Sequence, residues 1–122
     1  MAKSVNSVVL DTGLNYVKNN ANQIHVCSTE PTTRTEAVTT YQLASGAVTG
    51  TDFVVGAGAG TGRKTTVAAQ AGLTIDNTGT ALHVAVTSAT ELLLVTTVTS
   101  QALSSGGTVD VASFEHEIGS VA

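Results

Sequence analysis

The chain has 122 residues, room for one domain and one modest core, and 21 Thr, 17 Val, 16 Ala, 12 Gly and 10 Ser make up more than half of it. Charged residues are 11% and the net charge is −4, a balance that excludes a disordered chain and a Glu/Lys/Leu-rich helical bundle. Five Lys and Arg in all are too few for a phosphate-binding footprint or for an acidic membrane surface, so neither nucleic acid nor membrane is expected as a partner.

Val and Thr pack well on pleated surfaces and lose rotamer freedom in helices, so the composition predicts a mainly β fold. The N-terminus, MAKSVNSVVL, has an apolar run of only three residues, short of a signal-peptide core, and no window approaches a membrane span. A cytoplasmically made chain is expected. The single Cys27 forms no internal disulfide, which leaves packing and backbone hydrogen bonds to hold the fold.

Taken in order, Val9, Leu10, Leu14, Val17 and Ala21 recur at helical spacing, with Asp11 near the start and Asn19-Asn20 at the stop. Gln23 to Ser28 alternates, placing Ile24 and Val26 on one face and His25 and Cys27 on the other, and Glu30-Pro31-Thr32 ends that strand. Thr35 to Ala44 carries apolar residues near helical spacing with Glu36 in the first turn and predicts a short helix. Gly46 to Gly62 is glycine-rich around a short strand, Asp52 to Val55.

From Arg63 the pattern becomes strands and tight turns. Lys64 to Gln70 is a strand that turns at Gly72, followed by Leu73 and Ile75 in alternation, and Asp76-Asn77-Thr78-Gly79 reads as a hairpin turn. Thr80 to Thr87 sets Leu82, Val84 and Val86 on one face. Ser88-Ala89-Thr90 turns into Glu91 to Thr99, and Ser104-Ser105-Gly106-Gly107 turns into a last strand, Thr108 to Ile118. The expectation is one domain, residues 1–122: an antiparallel meander closed as a β-sandwich or small barrel, with one or two short helices in the N-terminal half. Residues 1–8 are expected to form an extended arm.

Few motifs carry chemistry. Gly56 to Thr65 has the glycines of a phosphate loop, but Arg63 stands between Gly62 and Lys64, and Thr65-Thr66-Val67 predicts a strand where a helix must follow. His116-Glu117 opens like a zinc-protease motif, yet Ser120 occupies the second histidine's place. His25 and Cys27 point the same way on their strand and lack a third ligand at useful spacing; a packed His and a small apolar Cys is the simpler account. There is no Gly-x-Ser-x-Gly elbow, and the four Asp and five Glu are scattered. Tyr16, Tyr41, Phe53 and Phe114 are too few for a sugar- or base-stacking platform. No enzyme activity, cofactor or metal is expected; a structural or assembly module is.

The runs Leu14-Asn15-Tyr16, Cys27-Ser28-x-x-Pro31-Thr32-Thr33 and Tyr41-x-Leu43-Ala44 resemble the N-terminal half of small virion structural proteins of tailed bacteriophages. Gly62-Arg63-Lys64, Gly79-Thr80-Ala81-x-His83-Val84-Ala85 and Thr99-Ser100-Gln101-Ala102-Leu103 ahead of Val109 to Phe114 are similar to the same group. The resemblance implies a capsid decoration, or cement, protein on the virion exterior, bound to the major capsid protein and assembled as a homo-oligomer, a trimer first. Similar modules occur in tails, fibres and head–tail joints, and a non-viral adhesion or carbohydrate-binding module is a further alternative. The segments expected to contact the capsid or a sister subunit are the arm (Met1, Ala2, Lys3, Ser4, Val5) and the glycine-rich loop (Gly58, Gly60, Arg63).

Overall fold

A computed structural model describes residues 7–57 and 63–118. The chain is mainly β, with one α-helix in the N-terminal half, a curled six-stranded antiparallel sheet and a second sheet of three strands. Helix α1 spans Ser7–Asn20, and its Leu14 and Val17 are buried, as is Ala21 just beyond its end. Lys18 in the last turn suits the negative end of the helix dipole and donates from Nζ to the Phe53 carbonyl.

The strands are β1 (Gln23–Cys27), β2 (Gln42–Ala47), β3 (Phe53–Ala57), β4 (Arg63–Val67), β5 (Gln70–Ile75), β6 (Gly79–Thr87), β7 (Leu92–Leu103), β8 (Thr108–Val111) and β9 (Phe114–Ile118). The large sheet runs β7-β6-β1-β2-β5-β8 and the small one β3-β4-β9. Ile24, Val26, Leu43, Ile75, Val84 and Val86 from the large sheet meet Val17, Phe53 and Val67 from the helix and small sheet in one core. A second, smaller cluster of Cys27, Ala37 and Ala85 lies on the other side of β1 and β6, covered by the segment before β2. Strand β1 is therefore buried on both faces.

Several expectations are corrected. Of the arm expected over residues 1–8, Ser7 and Val8 belong to α1, and residues 1–6 lie outside the described residues. The helix expected over Thr35 to Ala44 is a π-helical turn, Glu36–Thr40, and Gln42 to Ala44 already belong to β2. The run mimics helical spacing because Val26 pairs with Ala44 while Cys27 pairs with Gln42, a bulge that turns the consecutive Leu43 and Ala44 both toward the core. Asp52 lies in a short 3₁₀ turn, Gly50–Asp52, ahead of β3.

The strand read as Lys64 to Gln70 ends at Val67, and Gln70 opens β5. Gly72 is not a turn. It sits inside β5 at φ +69°, where pairing with β8 skips from Gln70–Val111 to Leu73–Val109, and its N–H donates to Asp110 Oδ1 at 2.8 Å. That backbone conformation admits glycine readily and other residues poorly. Leu82 is exposed rather than in line with Val84 and Val86, because the β6–β7 register shifts between Ala81 and His83.

The meander is also corrected. Asp76 to Gly79 joins β5 to β6, but β1 and β2 lie between these strands in the sheet, so no hairpin forms there. Thr108 to Ile118 is two strands on different sheets, β8 and β9, broken at Ala112-Ser113. The Ser88-Ala89-Thr90 turn does join a paired hairpin, closed by the Ser88 N–H donating to the Glu91 carbonyl.

Candidate functional site

The titratable groups of the interior are engaged in holding strands together. His25 is fully buried on β1; its Nδ1 lies 2.7 Å from Gln42 Oε1 on β2 and its Nε2 2.9 Å from Thr87 Oγ1 on β6. Gln42 Nε2 reaches Asp76 Oδ2 at 3.4 Å, which orients the amide so that Oε1 accepts from the imidazole N–H. The neutral ring then accepts at Nε2 from the threonine hydroxyl. Burial pushes the imidazole below its ordinary range; the Gln42 hydrogen bond works in the opposite direction and the Arg34 charge in the same one.

Cys27 is fully buried beside Ala37 and Ala85, its thiol 3.8 Å from the Ala37 carbonyl, and burial pushes its pKa up to about 11. No third ligand joins it and His25: among the described residues no group of three His, Cys, Asp or Glu is placed to hold a metal ion. His116 lies in β9, opposite Thr65 of β4, as the terminal-strand reading of His116-Glu117 expects. Thr65 to Val67 likewise form strand, not the helix a phosphate loop requires. Two buried polar atoms, Thr65 Oγ1 and His83 Nδ1, have no hydrogen-bond partner among the described residues.

Of the expected contact residues, Met1, Ala2, Lys3, Ser4, Val5, Gly58 and Gly60 lie outside the described residues. Arg63 opens β4, and its Nε and Nη2 donate to the two Asp11 oxygens at 2.7 and 3.3 Å, fixing α1 to the small sheet. Lys64 and Glu115 pair across β4 and β9. The Tyr16 hydroxyl donates to Glu91, a hydrogen bond to an anion that raises the phenol's pKa.

The sequence did not reveal the sheet edges. The outer strands β7 and β8 of the large sheet, and β3 and β9 of the small one, each present one side with no partner strand among the described residues. Val54 on β3 is 64% exposed, the most open large apolar side chain among the described residues. Strands β7 and β8 are joined by the four-residue turn Ser104–Gly107 yet form no ladder. Between them lies a groove of about 400 Å³. Val26, Ala81 and Val84 belong to its lining, with Thr97 and Thr99 from β7 and Ala112 from beyond β8. No signal in the local pattern marks this seam, because it arises from which strands fail to pair.

Among the described residues no helix is long and apolar enough to cross a membrane. No protein-family model, curated protein or solved structure matches the chain.

Proposed function

We propose that the protein is a structural component of a tailed-phage virion that decorates and stabilises the outer surface of the capsid by binding the major capsid protein lattice. The observation that carries this reading is the set of strand edges on β3, β7, β8 and β9 that have no partner strand among the described residues. An unpaired edge presents a row of backbone N–H and C=O groups that another chain can complete by strand addition. A small domain with several such edges can bridge neighbouring subunits, and the sequence resemblance points the same way. No catalytic role, cofactor, nucleic acid or membrane enters this reading.

The mechanism is mechanical. Each copy bridges capsid subunits with interfaces on the order of 1,000 Å² or more, and a closed homo-oligomer, a trimer first, gains avidity because one attached arm raises the local concentration of the others. The Thr- and Ser-rich surface contacts neighbours without stranding full charges. In this reading the arm Met1–Val5 and the loop through Gly58, Gly60 and Arg63 contact the capsid or a sister subunit, with Arg63 also holding Asp11.

The test is copy number per particle, measured by quantitative mass spectrometry of purified virions against the major capsid protein. The expected ratio is one chain per one or a few capsid chains. A handful of copies per particle moves the protein to the tail, a fibre or the head–tail joint. Absence from particles removes the viral reading and favours a non-viral binding module.

A further inference from the structure

Residues 29–40 leave the large sheet after β1 and return to it at β2. The Ser28 N–H donates to the Tyr41 carbonyl at 3.0 Å, so the two ends of this excursion stand side by side. Compact surface loops with joined ends are frequent carriers of function. This one is bonded largely to itself. Glu36 Oε1 accepts from the Thr32 N–H and hydroxyl, each at 2.8 Å, the Ala37 N–H donates to the Thr33 carbonyl, and the Tyr41 N–H donates to the Glu36 carbonyl across the π-helical turn. None of these bonds needs the sheet beneath.

The loop's grip on that sheet is slight. Of residues 29–40 only Pro31 and Ala37 are buried. Ala37 sits on Cys27 and Ala85, with the Cys27 thiol 3.8 Å from its carbonyl. Among the described residues, the loop reaches the end of β6 by one hydrogen bond, from Arg34 Nε to the Ser88 carbonyl at 2.9 Å. Few buried apolar contacts and a single polar tether are the marks of a segment that opens at low cost.

The tether adjoins a buried titratable ring. Arg34 binds the Ser88 carbonyl, and His25 Nε2 binds the hydroxyl of Thr87, the residue before it. From β2 the ring meets the Gln42 amide, with the Asp76 carboxylate behind it, and beside it on β1 is the Cys27 thiol, which burial keeps uncharged. On the loop Glu36 is turned to Thr32 and Glu30 is exposed. His83 of β6 pairs with Cys27, and Glu91 in the next turn takes the Tyr16 hydroxyl. Arg34 is thus the cation that a protonated His25 confronts.

We propose that residues 29–40 form an acid-released lid over Cys27, latched by Arg34 on Ser88 and unlatched when His25 takes up a proton. With the ring neutral, Nε2 accepts from the Thr87 hydroxyl; a protonated ring donates there instead and forces that hydroxyl to turn. Two positive charges are then held on consecutive residues of β6. Swinging Arg34 outward relieves the repulsion, breaks the tether and admits water to the ring. Linkage gives the direction: burial first, and Arg34 with it, hold the imidazole below its ordinary range while the lid is shut, so the open form binds the proton more tightly and falling pH favours it. Opening uncovers Cys27 and Ala85 and leaves the ladders of β1 with β2 and β6 in place.

The experiment follows labelling of Cys27, the chain's single cysteine, by a pyridyl disulfide. Rates for the native chain are divided into those for the urea-unfolded chain at the same pH, so the ratio reports protection and cancels the reagent's own pH dependence; urea curves give global stability at each pH. The expected result is protection several-fold, and at most about tenfold, lower at about pH 5.5 than at about pH 7.5, the span that one imidazole of ordinary pKa about 6.5 can supply. At the lower pH, labelling outruns global unfolding. His25→Gln removes the pH dependence. Arg34→Gln lowers protection already at the higher pH and leaves the urea midpoint little changed. Labelling that only keeps pace with global unfolding at the lower pH, equal protection at both, pH dependence that persists in His25→Gln, or protection unchanged in Arg34→Gln each overturns the proposal; if His25→Gln does not fold, the unsubstituted chain and Arg34→Gln decide.

Discussion

The imidazole Nε2 of His25 lies 2.9 Å from the Thr87 hydroxyl, so β1 and β6 are joined by side chains as well as by their ladder. With Gln42 on the other nitrogen, one buried ring ties three neighbouring strands at the centre of the large sheet. Thr87→Val keeps the shape and leaves a buried ring nitrogen without its donor, so it lowers stability by about 1–3 kcal/mol, read from denaturant midpoints.

The same ring makes stability depend on pH. Burial holds its folded pKa below the ordinary value, so the unfolded chain takes up a proton first as pH falls. The His25 contribution is complete above the unfolded pKa of about 6.5 and is lost as pH drops from there toward the folded value. Unfolding midpoints measured from about pH 7.5 to about pH 5 therefore decline, and His25→Gln flattens that part of the curve.

Thr65 is fully buried, and its hydroxyl has no partner among the described residues. Thr65→Val removes the stranded polar atom at nearly constant shape and is expected to stabilise the fold by about 1 kcal/mol, visible as a higher Tm. A lower Tm would show that the hydroxyl is satisfied in solution.

A Cβ added at Gly46 collides with Leu73 Cδ2, and Leu73 is buried in the core. Gly46→Ala is expected to cost about 1–3 kcal/mol by overpacking. Combining it with Leu73→Ala should cost less than the two changes added together, and a double-mutant cycle measures that coupling.

Cys27 combines full burial with a pKa of about 11, so little thiolate forms in the folded chain. A thiol reagent at about pH 8 should leave the native protein unmodified and label one site on unfolding. Native-state labelling at a rate that tracks unfolding would report global opening; fast labelling would show that the segment covering Cys27 opens locally.

Local periodicity was sufficient wherever a segment's partners were uniform. Helix α1 was legible from Leu14, Val17 and Ala21, and β1 from its alternation, because one packed side repeats regularly. It misled where a bulge changed the phase, as at Leu43-Ala44 and Leu82, since a single register shift turns consecutive residues to one side or moves an apolar one outward. Gly72 read as a turn for a sound reason: it has the positive φ of a turn glycine, spent inside a strand. Apart from the β6–β7 hairpin at Ser88-Ala89-Thr90, the order of strands was hidden. Asp76-Asn77-Thr78-Gly79 has hairpin chemistry, yet β1 and β2 take the positions between the strands it joins. The groove followed the same fate, being a property of two edges that decline to pair. His25 and Cys27 were visible as a same-face pair, but not the cover over Cys27, which comes from the segment through Ala37.

The placement of β1 and β2 at the centre of the large sheet has a consequence for how the protein is made. Gln23 pairs with Thr87 and Ala44 with Ile75, so the strands synthesised early acquire their outer neighbours only from the later half of the chain. A growing polypeptide on the ribosome can form α1 and the β1–β2 pair, but Ile24 and Val26 have no β6 to lie beside until residue 87 has left the exit tunnel. Such long loop closures slow folding, and the interval leaves apolar strand surface uncovered. The nascent chain is thus most vulnerable to self-association just before its second half appears, and a pause in translation ahead of β6 would lengthen that exposure rather than help the first half to fold.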